Sequence, residues 1–478
     1  MISRVCVVSL VSIAACFSPD TGAVGTDTEA GTGSTGLSAT TQDPTATSAT
    51  MPTTGGVTTD PTADTTDAST SETNPTVGPA DSTGDEASTG EDESTDGTTG
   101  TPTECDNGVA EPGELCLGEV ELFEPVNPTE KIATADMDNN GNLDLITSEG
   151  DDSEAAFHFG TGMGGFGGTA GDAFGPETTD VAIGFFNSDA FPDVVFGLAS
   201  ANNNVGVMLG DGAGTFALPL DTSGSIAAAT AVAVGDMNGN GFDDIVAVGS
   251  TAPSGGPEGR IMTFFAAGSG SGVFGAPVST AHPDGVYYDV VLGDFNGNSV
   301  LDAAFVFSGG ANTTIRVCNG NNTGSFPNAA CETLDGGNSP RALAVGDFDG
   351  DGNDDLAVSQ STANEILIHR GLGNGTFAAV DVIVTTETSW GLAAGDLDND
   401  GIDDLVATHP APATASIILG NSDGTFEINA TLSMDAAGYV PQDVVLGDFN
   451  EDGALDVALG CGGFVGGDPA IGVFNSAI

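Results

Sequence analysis

Short apolar runs alternate with polar, glycine-rich turns from about residue 131 to the C-terminus. An apolar run such as 342–346 precedes an Asp-rich loop, and another, such as 356–358, follows it. A third run, such as 366–368, leads into a Gly-rich hairpin that ends in Phe, as in 371–377, and a fourth run follows that Phe. Short apolar runs separated by Gly and Asn turns are typical of β-strands joined by hairpins. The pattern predicts units of four strands.

The Asp-rich loop recurs seven times, and its spacing indicates the architecture. Successive loop starts are 49, 51, 58, 53, 49 and 52 residues apart. A period of about 50 residues fits the four-stranded blade of a β-propeller. The sequence therefore predicts an all-β, seven-bladed propeller over residues 117–478. The loops start at Asp136, Phe185, Asp236, Asp294, Asp347, Asp396 and Asp448.

The two ends of the repeat region complement each other. The chain stops soon after a third-type strand at 471–474, with no fourth strand behind it. A fourth-type strand at 119–123 precedes the first loop instead. We therefore expect the last blade to take three strands from the C-terminus and one from the N-terminus. Closing the ring in this way removes exposed sheet edges.

The repeats resemble the FG-GAP/VCBS repeats of integrin-α-type propellers. The resemblance rests on seven loops of the form D-x-D/N-x-D/N-G-x-x-D in register and on the Phe-terminated hairpins. One hairpin reads Phe-Gly-Ala-Pro at 274–277. The resemblance covers residues 117–478 and implies a propeller that binds a partner and does not catalyse a reaction.

The loop pattern favours calcium. Oxygen-bearing side chains occupy loop positions 1, 3, 5 and 9, and a main-chain carbonyl is available at position 7. Hard oxygens in a flexible loop suit Ca²⁺, whereas Mg²⁺ demands stricter octahedral geometry. Gly at position 6 allows a sharp turn. The start resembles an EF-hand loop, but position 12 lacks Glu and the flanks are strand-like. We expect several structural calcium ions; the alternative is Asp-rich turns that water satisfies.

Six loops keep the ligand pattern, with unequal numbers of carboxylates. Positions 1, 3, 5 and 9 carry four carboxylates in the fifth and sixth loops, three in the first and seventh, and two in the third and fourth. The second loop has Phe185 at position 1 and Ala190 at position 6, so we expect it to be empty. The fourth has Ser299 at position 6 and is expected to bind weakly. The predicted ligands, position-7 carbonyls included, are Asp136, Asp138, Asn140, Asn142, Asp144, Asp236, Asn238, Asn240, Phe242, Asp244, Asp294, Asn296, Asn298, Val300, Asp302, Asp347, Asp349, Asp351, Asn353, Asp355, Asp396, Asp398, Asp400, Ile402, Asp404, Asp448, Asn450, Asp452, Ala454 and Asp456.

The face opposite the calcium loops is the predicted ligand face. Consider the residue six positions before each loop start. The residue two positions after it is aliphatic in every repeat, so the former residues should form a ring near the central channel. Trp, Tyr and Arg are common anchors of protein interfaces. We predict Tyr288, Arg341, Trp390 and Gln442 as candidates for protein or carbohydrate binding; the alternative is that they only cap the blades. The full ring is Glu130, Thr179, Thr230, Tyr288, Arg341, Trp390 and Gln442.

Charge excludes two classes of partner. The 478 residues include 69 Asp and Glu against 6 Lys and Arg, a formal net charge of −63. Nucleic acid is excluded because its phosphates need basic residues, and a basic face for anionic membranes is absent.

Residues 17–104 hold 16 acidic and no basic residues among Thr, Ser, Gly, Pro and Ala. This composition predicts a disordered linker with a reach of roughly 50 Å.

The first sixteen residues are typical of an export signal. A single Arg4 precedes an apolar run from Val5 to Ala15, shorter than the ~20 residues of a membrane-spanning helix. The end of this run, residues 13–16, resembles the bacterial lipobox, which implies cleavage before Cys16 and lipidation of its thiol. The alternative is an ordinary signal peptide. We expect a lipid-anchored monomer in the bacterial cell envelope, at the outer membrane or cell surface.

Export places the cysteines in an oxidising compartment, which favours disulfides. Cys105 and Cys116 form the first predicted pair. They lie at the two ends of a short segment, 105–116, that looks like the CxNGxxEPGExC modules of bacterial surface proteins. Cys318 and Cys331 flank a predicted hairpin and form the second predicted pair. Cys461 is left over.

No constellation of catalytic residues is evident in the sequence. His158 and His369 occupy the same repeat position, which favours a structural role. His282 and His409 each precede Pro and are predicted to lie in loops. We therefore expect a non-enzymatic, calcium-binding surface lipoprotein whose propeller mediates binding or adhesion. The alternatives are a hydrolase or lyase acting on extracellular polysaccharide and a structural spacer.

Overall fold

The computed structural model describes residues 115, 117–123, 129–149, 154–173, 177–199, 205–217, 220–222, 226, 228–250, 259–282, 285–309, 312–327, 330–434, 439–463 and 470–476. The predicted signal peptide with Cys16, the predicted linker 17–104 and the cysteines Cys105 and Cys116 lie outside the described residues. Among the described residues, no helix is long and apolar enough to cross a membrane.

The described residues form seven antiparallel sheets of four strands each. The first strand, β1, spans Leu117–Phe123. Blade one contains β2 (Thr129–Ala135), β3 (Asp144–Glu149), β4 (Glu154–Gly160) and β5 (Phe166–Ala173). Blade two contains β6 (Thr178–Gly184), β7 (Asp193–Leu198), β8 (Val205–Met208) and β9 (Leu220–Thr222). Blade three contains β10 (Ala228–Gly235), β11 (Asp244–Ser250), β12 (Gly259–Phe264) and β13 (Val278–His282).

The remaining four blades follow in chain order. Blade four contains β14 (Val286–Gly293), β15 (Asp302–Gly309), β16 (Asn312–Cys318) and β17 (Cys331–Asp335). Blade five contains β18 (Pro340–Gly346), β19 (Asp355–Gln360), β20 (Glu365–His369) and β21 (Asp381–Val384). Blade six contains β22 (Leu392–Gly395), β23 (Asp404–His409), β24 (Thr414–Gly420) and β25 (Phe426–Ser433). Blade seven contains β26 (Tyr439–Gly447), β27 (Asp456–Gly463) and β28 (Ala470–Ser476), and β1 completes it.

The predicted seven-bladed propeller and its closure are confirmed. Strand β1 pairs antiparallel with β28, with Val120 opposite Phe474 and Phe123 opposite Ile471. The outermost strand of the last blade therefore comes from the N-terminal side of the ring, and both ends of the propeller meet in one sheet.

The hydrophobic core is divided among the blade interfaces. The described residues contain seven apolar clusters, one for each pair of neighbouring blades. Between blades one and two, for example, the rings of Phe157 and Phe216 stack with their centroids 4.1 Å apart. Inner-strand members of these clusters, such as Val181, Val232 and Val444, also line a cavity of about 180 Å³ at the centre of the ring.

Two of the cysteines predicted to pair are bonded. A disulfide joins Cys318 at the end of β16 to Cys331 at the start of β17. Cys461 in β27 is a buried free thiol, and its burial raises the pKa of this thiol to about 12.

Candidate functional site

The seven Asp-rich loops join the first and second strands of each blade and share a common geometry. In the fifth loop, Asp347 at position 1 accepts hydrogen bonds from the backbone N–H groups of Asp351 (3.0 Å) and Gly352 (2.9 Å). Both donors thus meet one carboxylate, which folds the loop around it. The position-1 residues that accept the same two bonds are Asp136, Asp236, Asp294, Asp347, Asp396 and Asp448.

Position 6 of each loop adopts a left-handed backbone conformation. Gly352 has φ of 84° and Gly401 has φ of 90°, which glycine adopts without strain. Ser299 in the fourth loop and Ala190 in the second take φ of 63° and 69° at the same position. The two degenerate loops therefore keep the turn, although their side chains strain the backbone there.

Position 9 has a structural task in addition to its predicted ligand role. The carboxylate of Asp355 is fully buried and accepts the N–H of Phe348 (3.0 Å) and of Gly371 (2.7 Å). It thereby ties its loop to the base of the hairpin between the third and fourth strands. Burial raises the pKa of Asp355 to about 7. The equivalent Asp193 does the same in the second loop, through Phe186 and Gly210.

Carboxylates converge in three of the loops. In each cluster, three carboxylate oxygens lie within 4.8 Å of one another. Like charges this close repel strongly, and a bound cation removes that repulsion. The oxygen-only donor set fits Ca²⁺. In the part of the chain that the structure describes, no ion pair reaches the clusters of the first and sixth loops. The three clusters are Asp136, Asp138 and Asp144; Asp347, Asp349 and Asp351; and Asp396, Asp398 and Asp404.

The second loop differs from the others at its start. Phe185 at position 1 supplies no carboxylate, and its backbone N–H donates to Asp243 of the next blade at 2.8 Å. Asn187 donates to the position-9 residue Asp193 at 3.4 Å, as Asn238 does to Asp244 in the third loop. The second loop thus keeps hydrogen bonds that other loops also make, but it lacks the position-1 carboxylate that folds the other six.

A cavity of about 270 Å³ lies at the mouth of the central channel, at the ends of the inner strands opposite the Asp-rich loops. In β14, for example, Tyr288 lies near the start of the strand and Asp294 follows its end. Six of the seven predicted ring residues line this cavity, and the side chain of the seventh, Glu130, lies outside the described part. We call these six the mouth ring: Thr179, Thr230, Tyr288, Arg341, Trp390 and Gln442.

Local irregularities in the inner strands accompany the mouth ring. The register of β14 with β15 shifts between Tyr287 and Asp289, so Tyr288 is the extra residue of a bulge. A bulge re-aims the side chain at its site. Accordingly Tyr287 is fully buried, whereas Tyr288 is 52% exposed. The other register shifts coincide with Glu130, Thr179, Thr230, Arg341 with Ala342, and Gln442.

Two hydrogen bonds to the backbone of Trp390 and one contact with its ring hold this residue in place. Its N–H donates to the carbonyl of Thr408 (2.9 Å), and its carbonyl accepts the Ser359 hydroxyl (2.8 Å). The Arg341 guanidinium carbon lies 3.8 Å from the centroid of the Trp390 ring, a cation–π contact. The chain's only Trp is thus fixed at the mouth by groups from two neighbouring blades, five and six.

Charged groups form a second layer just beneath the mouth ring. The Lys131 ammonium pairs with Asp443 at 3.2 Å. Asp180 and Asp289 accept backbone N–H groups of the next blade, from Val232 at 2.7 Å and from Leu343 at 2.8 Å. Burial raises the pKa of Asp180 to about 7, which the nearby Lys131 partly offsets. Burial alone would lower the pKa of Lys131, but the three carboxylates raise it above its ordinary value.

Comparison with known proteins agrees with this architecture. A profile of the family described as FG-GAP-like repeat matches residues 186–247, 306–358, 347–407 and 400–459. The chain contains FG-GAP-like repeats. No curated protein sequence matches it significantly.

Solved propellers are similar to the FG-GAP repeat region in fold. A structure of BBS1N in complex with ARL6DN, soaked with lead, is 9% identical with a TM-score of 0.50, covering 76% of this chain and 96% of that one. The mercury-soaked form is 8% identical with a TM-score of 0.51 and the same coverage. An Agrocybe aegerita lectin that recognises non-reducing terminal N-acetylglucosamine is 16% identical with a TM-score of 0.44, covering 72% and 98%. At these identities, the first two structures show likeness of fold alone.

The four histidines of the FG-GAP repeats are strand residues, and the three whose side chains the structure describes are buried. His282 and His409 end strands β13 and β23, so the prediction that they lie in loops was wrong. His409 Nε2 lies 2.8 Å from the Ser416 hydroxyl, and both side chains are at most 2% exposed. This Ser–His pair is closed to solvent and joins neighbouring strands. His158 and His369 are also buried, and burial lowers the pKa of each.

Sequence reasoning missed three features of the site. It did not anticipate the bulges at the mouth ring, the bridging carboxylates of Asp180 and Asp289, or the contact between Arg370 and the fifth loop. The sequence did contain a signal for Asp180 and Asp289, since each directly follows a predicted ring residue in its repeat. Arg370 had a weaker one, being a basic residue in a very acidic chain.

Proposed function

We propose that this protein is a calcium-stabilised FG-GAP propeller, tethered to the bacterial cell envelope, that binds a protein or a glycan at the channel mouth. One observation supports it above the others. Six side chains from six blades, including the only Trp of the chain, converge on a single cavity on the face away from the Asp-rich loops. Trp, Tyr and Arg are the residue types that most often dominate binding energy at interfaces.

Calcium has a structural role in this proposal. Each Asp-rich loop joins the two inner strands of a blade, and several of them bond to the hairpin of the next blade; for example, Gly375 donates its N–H to the carbonyl of Phe295 at 2.9 Å. An ion bound in such a loop would stabilise both the turn and the joint between blades. Carboxylate and carbonyl oxygens in flexible loops are ligands that Ca²⁺ prefers.

Binding is favoured over catalysis because the acidic groups at the mouth are engaged in structural hydrogen bonds. Asp180, Asp289 and Asp443 each accept a backbone N–H from the adjacent blade. These bonds fix the carboxylates as joints of the ring. The tether is supported by sequence alone, through the lipobox-like residues 13–16 and the acidic linker that follows.

A binding screen tests the proposal. The calcium-loaded full chain would be applied to a glycan array and to a displayed peptide library, and each hit measured again with Trp390→Ala/Tyr288→Ala. We expect the double variant to weaken binding by about tenfold or more. Leu372→Ala is the matched control, since Leu372 is 51% exposed in a hairpin on the opposite face.

The outcomes separate the candidate functions. Hits that survive the double variant would place the binding surface elsewhere. Cleavage of any polysaccharide on the array would favour the hydrolase or lyase alternative. An absence of hits on both libraries would favour a structural spacer.

A further inference from the structure

Arg370 places a positive charge inside the fifth Asp-rich loop. Its Nη1 donates to Asp349 Oδ2 at 3.3 Å, and both side chains are about one fifth exposed. Its Nη2 donates to the carbonyl of Gly424 in the hairpin of blade six. Its Nε lies 3.1 Å from Asp381 Oδ2, an ion-pair distance without hydrogen-bond alignment. Asp349 is the predicted position-3 calcium ligand of this loop.

The sixth loop is a natural comparison because it has the same carboxylates. Both loops carry Asp at positions 1, 3, 5 and 9. The position-3 carboxylates also bond alike within the loops, since Asp349 accepts the N–H of Asp351 (3.3 Å) and Asp398 accepts that of Asp400 (3.1 Å). Among the described residues, no ion pair reaches Asp398.

The two loops differ in the residue before the hairpin glycine. The backbone N–H of Gly371 donates to Asp355, and that of Gly420 donates to Asp404, which makes Arg370 and Leu419 equivalent. Arg370 is the single basic residue at this position in the seven repeats. The others are Phe159, Leu209, Phe265, Asn319, Leu419 and Asn475.

A guanidinium so near a calcium ligand has two physical effects. It repels an incoming divalent cation and engages one oxygen that the cation would use, so it weakens binding. It also offsets the mutual repulsion of Asp347, Asp349 and Asp351, so it stabilises the folded loop when calcium is absent. A loop without such a charge depends on the ion itself.

We propose that Arg370 sets the calcium response of the fifth loop, lowering its affinity for calcium and keeping the loop folded without the ion. The sixth loop then binds calcium more tightly, and it is the less well protected of the two once calcium has been removed completely. This inference rests on the proposed calcium binding of the loops. It divides two loops of identical ligand composition into a calcium-dependent and a calcium-tolerant joint.

Hydrogen–deuterium exchange in buffers of fixed free calcium tests the proposal, because peptides covering 347–355 and 396–404 report each loop separately. In the full chain we expect half-maximal protection of the fifth loop at about tenfold higher free calcium than of the sixth. Arg370→Leu, which installs the residue of the sixth loop, should remove most of that difference. In chelator, the same variant should speed exchange in 347–355 and leave 396–404 unchanged.

Two further variants serve as controls. Arg260→Gln removes the same charge from blade three, where Arg260 pairs with Gly249 at the strand ends opposite the Asp-rich loops. It should leave both midpoints within about twofold, because salt screens distant charges. Arg370→Gln keeps a polar side chain and should act like Arg370→Leu. If calcium protects both loops but neither Arg370 variant moves the fifth-loop midpoint, the role of Arg370 is overturned. If calcium protects no loop in the unchanged chain, the calcium proposal itself fails, and this inference fails with it.

Discussion

The guanidinium of Arg341 stacks on the ring of Trp390, with 3.8 Å between the guanidinium carbon and the ring centroid. Arg341 belongs to the bulge of β18, and Trp390 lies two residues before the inner strand of the next blade. The contact therefore bridges two blades at the channel mouth. It fixes a large aromatic surface beside the cavity, which reduces the entropy that a ligand must remove on binding.

Because Trp390 is the only Trp of the chain, its fluorescence reports on the mouth directly. We expect Arg341→Ala to increase quenching of this fluorescence by acrylamide, since the ring loses the group stacked on it. The loss of one cation–π contact should lower the free energy of unfolding by about 0.5–1 kcal/mol. Thermal unfolding and quenching titrations measure both quantities.

Arg260→Gln serves as the control for charge loss and should leave quenching unchanged. Unaltered quenching in Arg341→Ala would contradict the stacked geometry.

Calcium removal should destabilise the propeller. Several sites, each filled at a concentration well above its dissociation constant, together shift the melting temperature by on the order of 10 °C. We expect chelator to lower the melting temperature by that amount in differential scanning calorimetry, and magnesium not to restore it.

Paired variants locate the effect. Asp398→Asn in the sixth loop should reduce the stabilisation by calcium, whereas Asp189→Asn in the second loop should not. Equal losses in both variants would show that the second loop also takes part.

The position-9 carboxylates should stabilise the fold without any metal. In the second loop, Asp193 accepts backbone N–H groups from Phe186 and Gly210. Asp193→Ala leaves these buried donors unsatisfied and should cost about 3 kcal/mol. The cost should be the same with calcium and with chelator, as measured by urea unfolding. A cost that disappears in chelator would assign Asp193 to a metal site instead.

Stability should depend on pH through Asp180. Burial raises its folded-state pKa to about 7, above the ordinary value of about 3.9. The folded state therefore holds this proton more tightly than the unfolded state, and the contribution of Asp180 to stability falls as pH rises from about 4 to about 7. Relative to the unchanged chain, Asp180→Asn should gain stability across that range and then level off.

Asp423 is the matched control because hydrogen bonds to Thr425 lower its pKa. Asp423→Asn should accordingly show a weak trend of the opposite sign. Parallel stability curves for Asp180→Asn and the unchanged chain would overturn the assignment.

The blade count, the closure by β1 and the height of the mouth ring were predictable because each depends on a fixed offset from a repeated loop. Seven loop starts count the blades, and six residues back from each start leads to the same level of the channel. The bulges were not predictable, since β14 is buried along most of its length and has no apolar–polar alternation that an extra residue such as Tyr288 would interrupt. Only the observed register shows that Tyr287 and Tyr288 point apart.

Contacts between blades also escaped prediction, because they join residues about 50 positions apart. The sequence shows Asp180 and Val232 but not the hydrogen bond between them. It shows Arg370 but not its place beside Asp349 and Gly424. His409 was misplaced because a following Pro was taken to indicate a loop, whereas the residue before Pro favours the extended conformation in which a strand ends.

The closure of the ring by β1 has a mechanical consequence. Six blades are continuous chain segments, but blade seven is joined to β1 only by hydrogen bonds to β28 and by side chains such as Leu117, which is 2% exposed within the core between blades six and seven. A force that draws on the chain ahead of Leu117 acts on this strand before any other. The N-terminal strand is thus a latch, and the tension at which it slips from β28 sets the pulling strength that the propeller withstands.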